Sequence, residues 1–124
     1  MPKLKIVIID DEPLIVKSTC LALSIYGFEA KGFHDGPSGI AAAAAEQPNL
    51  ILLDIMMPGM DGWEVLKRLK EESATREIPV VIFTAKEYYN GKTLASSKGA
   101  ADFIAKPFET DALNDIILSV TRGK

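Results

Sequence analysis

Apolar residues along this chain gather in short unbroken runs, separated by stretches in which they recur every three or four positions. The runs are LKIVII (Leu4 to Ile9), LILL (Leu50 to Leu53), PVVIF (Pro79 to Phe83) and DFIA (Asp102 to Ala105), each bounded by turn-forming residues. None shows a clean alternation of apolar and polar positions. Each is therefore predicted as a strand buried on both faces, the pattern of a parallel sheet covered by helices. FEAKGF (Phe28 to Phe33) has fewer apolar residues and carries Gly32, so it reads as an edge strand.

The intervening stretches carry helix punctuation. Pro13 opens a first helix, with Leu14, Ser18, Leu21, Ala22 and Ile25 as its inner stripe and Gly27 as a left-handed end. Asp35 caps a second helix, whose run Ala41 to Ala45 has high helix propensity and is expected to pack close to the sheet. Asp61 and Glu64 have capping-box spacing ahead of Val65, Leu66 and Leu69. A fourth helix is predicted from about Gly91 to Ser97, and a fifth from about Thr110 to Val120 with Leu113, Ile116, Ile117 and Val120 inward. Strands alternating with helices make βαβ units, and right-handed crossovers turn these into an α/β fold: a doubly wound five-stranded parallel sheet with five helices.

Composition narrows the picture. A chain of 124 residues, 48% hydrophobic and 25% charged, is expected to form one domain over 1–124. A formal charge of -3, with no run of Lys or Arg, argues against direct nucleic-acid binding, which needs a concentrated basic face. Cys20, the single cysteine, excludes an internal disulfide, and with no signal-peptide pattern at the start a cytoplasmic location is expected. No apolar run approaches the roughly 20 residues of a membrane-spanning helix, so no membrane partner is expected.

Polar residues fall where the predicted strands stop. Asp10 and Asp11 follow the first, Asp54 ends the third, Thr84 the fourth and Lys106 the fifth. Those carboxyl ends form the ligand-binding edge of an open α/β sheet. Three carboxylates brought together repel unless a cation joins them, and an all-oxygen ligand set without clustered His or Cys suits Mg²⁺. Lys106 adds a positive charge and Thr84 a hydroxyl donor, giving a pocket for a tetrahedral dianion. Asp54, on a central strand, is then the nucleophile that forms an acyl phosphate.

The segments IIDDEP (Ile8 to Pro13), LLDIMMPGMDG (Leu52 to Gly62), FTA (Phe83 to Ala85) and KPF (Lys106 to Phe108), in that order and spacing, resemble the receiver domain of two-component response regulators. The resemblance spans essentially the whole chain and implies a flavodoxin-like sheet of order 2-1-3-4-5. It implies that Asp54 accepts a phosphoryl group from a sensor histidine kinase or a histidine phosphotransfer protein. Asp11, Asp54 and the Met56 backbone carbonyl would hold Mg²⁺, with Asp10 acting through water, Thr84 hydrogen-bonding the phosphoryl group and Lys106 pairing with it. Thr84 and Phe103 would form the switch, and the bond before Pro107 is usually cis in the family. The fourth helix, fifth strand and fifth helix would be the output face, with Tyr88 and Tyr89 nearby. Implied too are a downstream protein target or fused effector, a phosphorylation-dependent dimer, and a signalling domain that promotes its own phosphorylation and dephosphorylation rather than an enzyme. Two readings from other classes compete. A metal-dependent phosphatase or phosphotransferase for small molecules is disfavoured by the lack of a second general acid after Asp54 and of sequence for a substrate cap. A constitutive protein-binding module is disfavoured because every chemical position is intact.

Overall fold

The computed structural model describes residues 3–85, 98–106 and 109–122. The predicted fourth helix (Gly91 to Ser97), Tyr88, Tyr89 and the bond before Pro107 lie outside the described residues. Five strands, β1 (Lys5–Ile9), β2 (Glu29–Phe33), β3 (Leu50–Leu53), β4 (Val80–Ala85) and β5 (Asp102–Lys106), form one sheet of order β2-β1-β3-β4-β5. Every pairing is parallel. Four helices occur among the described residues: α1 (Pro13–Ile25), α2 (Gly36–Glu46), α3 (Gly62–Glu71) and a C-terminal helix (Thr110–Arg122).

The unbroken apolar runs follow from the two layers of helices. Val7, Ile9, Ile51, Leu53, Val80 and Ile82 face α2 and α3, meeting Ala43, Val65, Leu66 and Leu69. The alternate residues Ile6, Ile8, Leu50, Leu52, Val81 and Phe83 face α1 and the C-terminal helix, meeting Val16, Leu23, Leu113 and Ile117. Each side of the central strands thus needs an apolar residue, and period-two alternation disappears. The weaker second run is indeed the edge strand. Its Gly32 lets α1 lie directly on the sheet, since a Cβ there would fall 1.9 Å from Val16 Cγ1.

The inner face of α1 differs from the expectation. Leu14, Leu21 and Ile25 are 81%, 58% and 84% exposed, Ser18 is exposed and Ala22 only half-buried, whereas Val16, Thr19 and Leu23 are buried. The helix PLIVKSTCLALSI is apolar on more than one face, so spacing alone admits two phases. The phase is set by how the chain leaves β1 and by the space above Gly32.

Other local devices hold in part. Gly27 has φ +90 and follows α1, and Asp35 accepts from the Ser38 N–H at 2.8 Å at the start of α2. Of the alanine run only Ala43 is buried. Close approach of α2 comes instead from Gly39, where a Cβ would lie 2.5 Å from Ile9 Cδ1. Asp61 caps α3 by accepting from the Glu64 N–H at 3.0 Å, while the Glu64 carboxylate accepts from Arg68 Nε at 3.0 Å. Only the Asp61 half of the capping box is made. In the C-terminal helix Leu113 and Ile117 are buried, with Ile116 and Val120 packed at the margin.

Candidate functional site

The ladder between β1 and β3 sets two carboxylates side by side. Ile9 is in register with Leu53, and the next rung is closed by the Asp54 N–H donating to Ile9 O at 2.9 Å. The Asp10 N–H donates to Phe33 O at 3.0 Å, so Asp10 leaves β1 at the same level. Each aspartate then closes a local turn with its Oδ1, Asp10 accepting from the Glu12 N–H at 3.0 Å and Asp54 from the Met56 N–H at 3.2 Å. Gly62 completes the seat of Asp54. Its N–H donates to Ile55 O at 2.9 Å, and a Cβ there would lie 2.3 Å from Asp54 O.

Both carboxylates are buried, Asp10 at 0% and Asp54 at 3% exposure. Lys106, at the end of β5, brings Nζ to 2.7 Å from Asp10 Oδ2 and 3.6 Å from Asp54 Oδ2. Burial pushes the Asp54 carboxyl up from the ordinary 3.8 to about 6. The Lys106 ammonium opposes the shift, the Asp10 charge adds to it, and the Met56 N–H favours the charged form. Thr84 itself is fully buried, and its Oγ1 has no hydrogen-bond partner among the described groups. An orphaned buried hydroxyl is costly unless something arrives to accept from it.

Glu12, Asp54, Met56, Thr84, Lys106 and Thr110 line a cavity of about 490 Å³ with part of α1. Carboxylate oxygens of Asp10, Glu12 and Asp54 lie within 4.8 Å of one another. Three acids beside Lys106 form, among the described residues, an oxygen-only donor set, which fits a hard divalent ion. Asp11 is half-buried and outside this group; Glu12, which the sequence reading passed over, is inside it. The signal for Glu12 was its acidity next to Asp10 and Asp11, with nothing in the spacing to say which way it turns. Phe103 is partly buried against the core beneath α2 and α3, with its backbone paired to Ile82.

A sheet of this order, whose carboxyl edge gathers two buried aspartates, a threonine and a lysine, has the architecture of a receiver-type signalling domain. The model of the response regulator receiver domain matches residues 6–118, and the chain belongs to that family. Response regulator PleD of Caulobacter vibrioides is 38% identical over 120 residues, which cover 97% of this chain but 26% of PleD. Protein PilH of Pseudomonas aeruginosa is 32% identical over 119 residues, covering 96% of this chain and 98% of PilH. The chain therefore spans about a quarter of the first relative and nearly all of the second. Among solved structures, Vibrio cholerae chemotaxis protein CheY4 superposes with a TM-score of 0.88 at 25% identity, covering 96% of this chain and 99% of CheY4. No described helix is long and apolar enough to cross a membrane.

Proposed function

We propose that residues 1–124 work as one receiver unit in which Asp54 takes a phosphoryl group from the phosphohistidine of a sensor histidine kinase or histidine phosphotransfer protein. The observation that carries this reading is a carboxylate 3% exposed at the wall of a 490 Å³ cavity, with Lys106 Nζ 3.6 Å away and the unpartnered Thr84 hydroxyl lining the same space. An Asp54 oxygen attacks phosphorus, the bond from phosphorus to the imidazole nitrogen breaks, and the electron pair leaves with the donor's histidine. Lys106 faces the phosphoryl oxygens with its ammonium, and Thr84 donates its O–H to one of them. The buried, partly apolar setting strengthens both contacts.

Asp10, Asp11, Glu12, Asp54 and the Met56 carbonyl are the groups that would hold Mg²⁺, which when bound neutralises charge on the transferring group. Lys106 bridging Asp10 and Asp54 keeps the two acids together before it binds. The donor protein approaches over α1, whose exposed Leu14, Leu21 and Ile25 lie on the helix that lines the cavity. Occupation of Thr84 by the phosphoryl group alters packing toward Phe103, since Thr84 and Phe103 share one face of the β4–β5 ladder. That change alters binding to a downstream protein or fused effector, or the pairing of two phosphorylated copies, in the cytoplasm and without contact to nucleic acid. The domain promotes its own phosphorylation and dephosphorylation and turns over no external substrate. Met56, apolar and 57% exposed two residues beyond Asp54, offers no group to orient a hydrolytic water, so phosphate loss is slow.

The test is intact mass after incubation with acetyl phosphate and Mg²⁺. Wild type gains one phosphoryl group and Asp54→Asn gains none. Equal labelling of both proteins would remove Asp54 from the role.

A further inference from the structure

We propose that Phe83 is a positioning residue for Lys106, its ring serving as an electrostatic floor for the ammonium; the proposal rests on Lys106 acting beside a phosphorylated Asp54. The β4–β5 register pairs Phe83 with Ile104 and Ala85 with Lys106. Ile104 and Lys106 project from the same side of β5, so Lys106 is the diagonal neighbour of Phe83, within reach of an aromatic and a long side chain. Lys106 Nζ stands over the Phe83 ring, 4.6 Å from its centroid, inside the distance at which an aromatic face attracts a cation. Phe83 is fully buried, and the lysine side chain is only 15% exposed, so little water intervenes.

The ring does something the carboxylates do not. It attracts the charge without occupying any N–H, leaving all three donors of the ammonium for Asp10, Asp54 and the oxygens of an incoming phosphoryl group. It also limits the freedom of a flexible four-carbon stem that must point at one small volume. The two faces of the β4–β5 ladder then divide the work: Thr84 and Phe103 lie on one, Phe83 and Lys106 on the other. Phe83 belongs as well to the core cluster with Val81, Ile104 and Leu113, so loss of shape and loss of ring charge must be separated experimentally.

Site-specific replacement of Phe83 by 4-fluoro-, 3,5-difluoro- and 3,4,5-trifluorophenylalanine keeps the shape and drains the ring face of negative charge. The readout is calorimetric affinity for beryllofluoride with Mg²⁺, a mimic of a phosphoryl group on a carboxylate. Affinity falls stepwise along the fluorine series, and Phe83→Leu weakens it about tenfold, the scale of a largely desolvated cation–π contact. In parallel, metal-free urea unfolding of Phe83→Leu, Lys106→Met and the double variant gives non-additive losses. Fluorinated proteins that bind as wild type does, or strictly additive losses, would reduce Phe83 to core filler. Failure of wild type to bind beryllofluoride at all counts against the phosphoacceptor reading, and the unfolding cycle then decides the floor alone, non-additivity supporting it and additivity overturning it.

Discussion

The two strand-to-helix turns that build the site begin alike and then part. After β1 and after β3 an aspartate accepts, through Oδ1, from the backbone N–H two residues on. The first turn enters α1 almost at once through Glu12 and Pro13, and no side chain caps that helix. The carboxylate at the cap position, Glu12, belongs to the acidic group with Asp10 and Asp54. The second turn runs through Gly59, at φ +79, to Asp61, which caps α3 and does not line the cavity. A short turn sets its acids beside the ligand space and leaves the helix start without a side-chain cap; a long one gives the two tasks to different aspartates. The helices that follow differ in the same sense. In α3 the apolar residues Val65, Leu66 and Leu69 are all buried and the opposite face is charged, whereas α1 buries Val16 and Leu23 and leaves Leu14, Leu21 and Ile25 in solvent.

Truncation separates the two apolar faces of α1 most sharply. Leu23→Ala and Leu69→Ala each remove a fully buried side chain and are expected to cost about 3 kcal/mol in urea unfolding. Leu14→Ala, Leu21→Ala and Ile25→Ala are expected to stay within about 0.5 kcal/mol, because those side chains are mostly wet already. If Leu21→Ala destabilised as much as Leu23→Ala, the phase of α1 would be wrong and with it the idea that the fold leaves this face for a donor protein.

A smaller contrast tests the turns themselves. Asp61→Ala removes the α3 cap and is expected to cost about 1 kcal/mol of stability with Mg²⁺ affinity retained. Glu12→Ala removes no cap, so stability stays near wild type while Mg²⁺ binding, followed by calorimetry, weakens. Equal affinity in Glu12→Ala and wild type would confine the metal-holding acids to the aspartates.

The strands and the polar residues at their ends were legible because both are simple consequences of layering: buried strands are apolar throughout, and chemistry appears where they reach solvent. What escaped detection depended on direction or on distant partners. A helix apolar on two faces does not declare which one is inside, and Glu12 next to Pro13 does not declare that it turns toward Asp54. Thr84 is the expected end of the fourth strand, yet β4 continues one residue further to Ala85 because β5 keeps pairing with it. Gln47 ends α2 at φ 50 without being glycine or asparagine, held by its Nε2 donating to Ala44 O at 3.0 Å and to Ala74 O at 2.7 Å. The second of those partners lies 27 residues away, beyond any local pattern.

The finest test weighs the two turn aspartates by charge. Asp10 has Lys106 at 2.7 Å, whereas Asp54 sees it at 3.6 Å and its carboxyl is pushed up to about 6. A carboxyl raised on folding binds its proton more tightly in the folded protein than in the unfolded chain. Its contribution is fully present below the unfolded value of 3.8 and is lost as pH rises through about 6. In metal-free buffer with chelator, wild-type stability should therefore fall across this window by an amount on the order of 1 kcal/mol, after allowance for screening. Asp54→Asn, which keeps the shape and cannot ionise, should lose that slope and unfold later than wild type at pH 7 to 8. Parallel pH profiles for the two proteins would mean that Lys106, at 3.6 Å, already offsets the burial of Asp54 and that its carboxyl is not raised on folding.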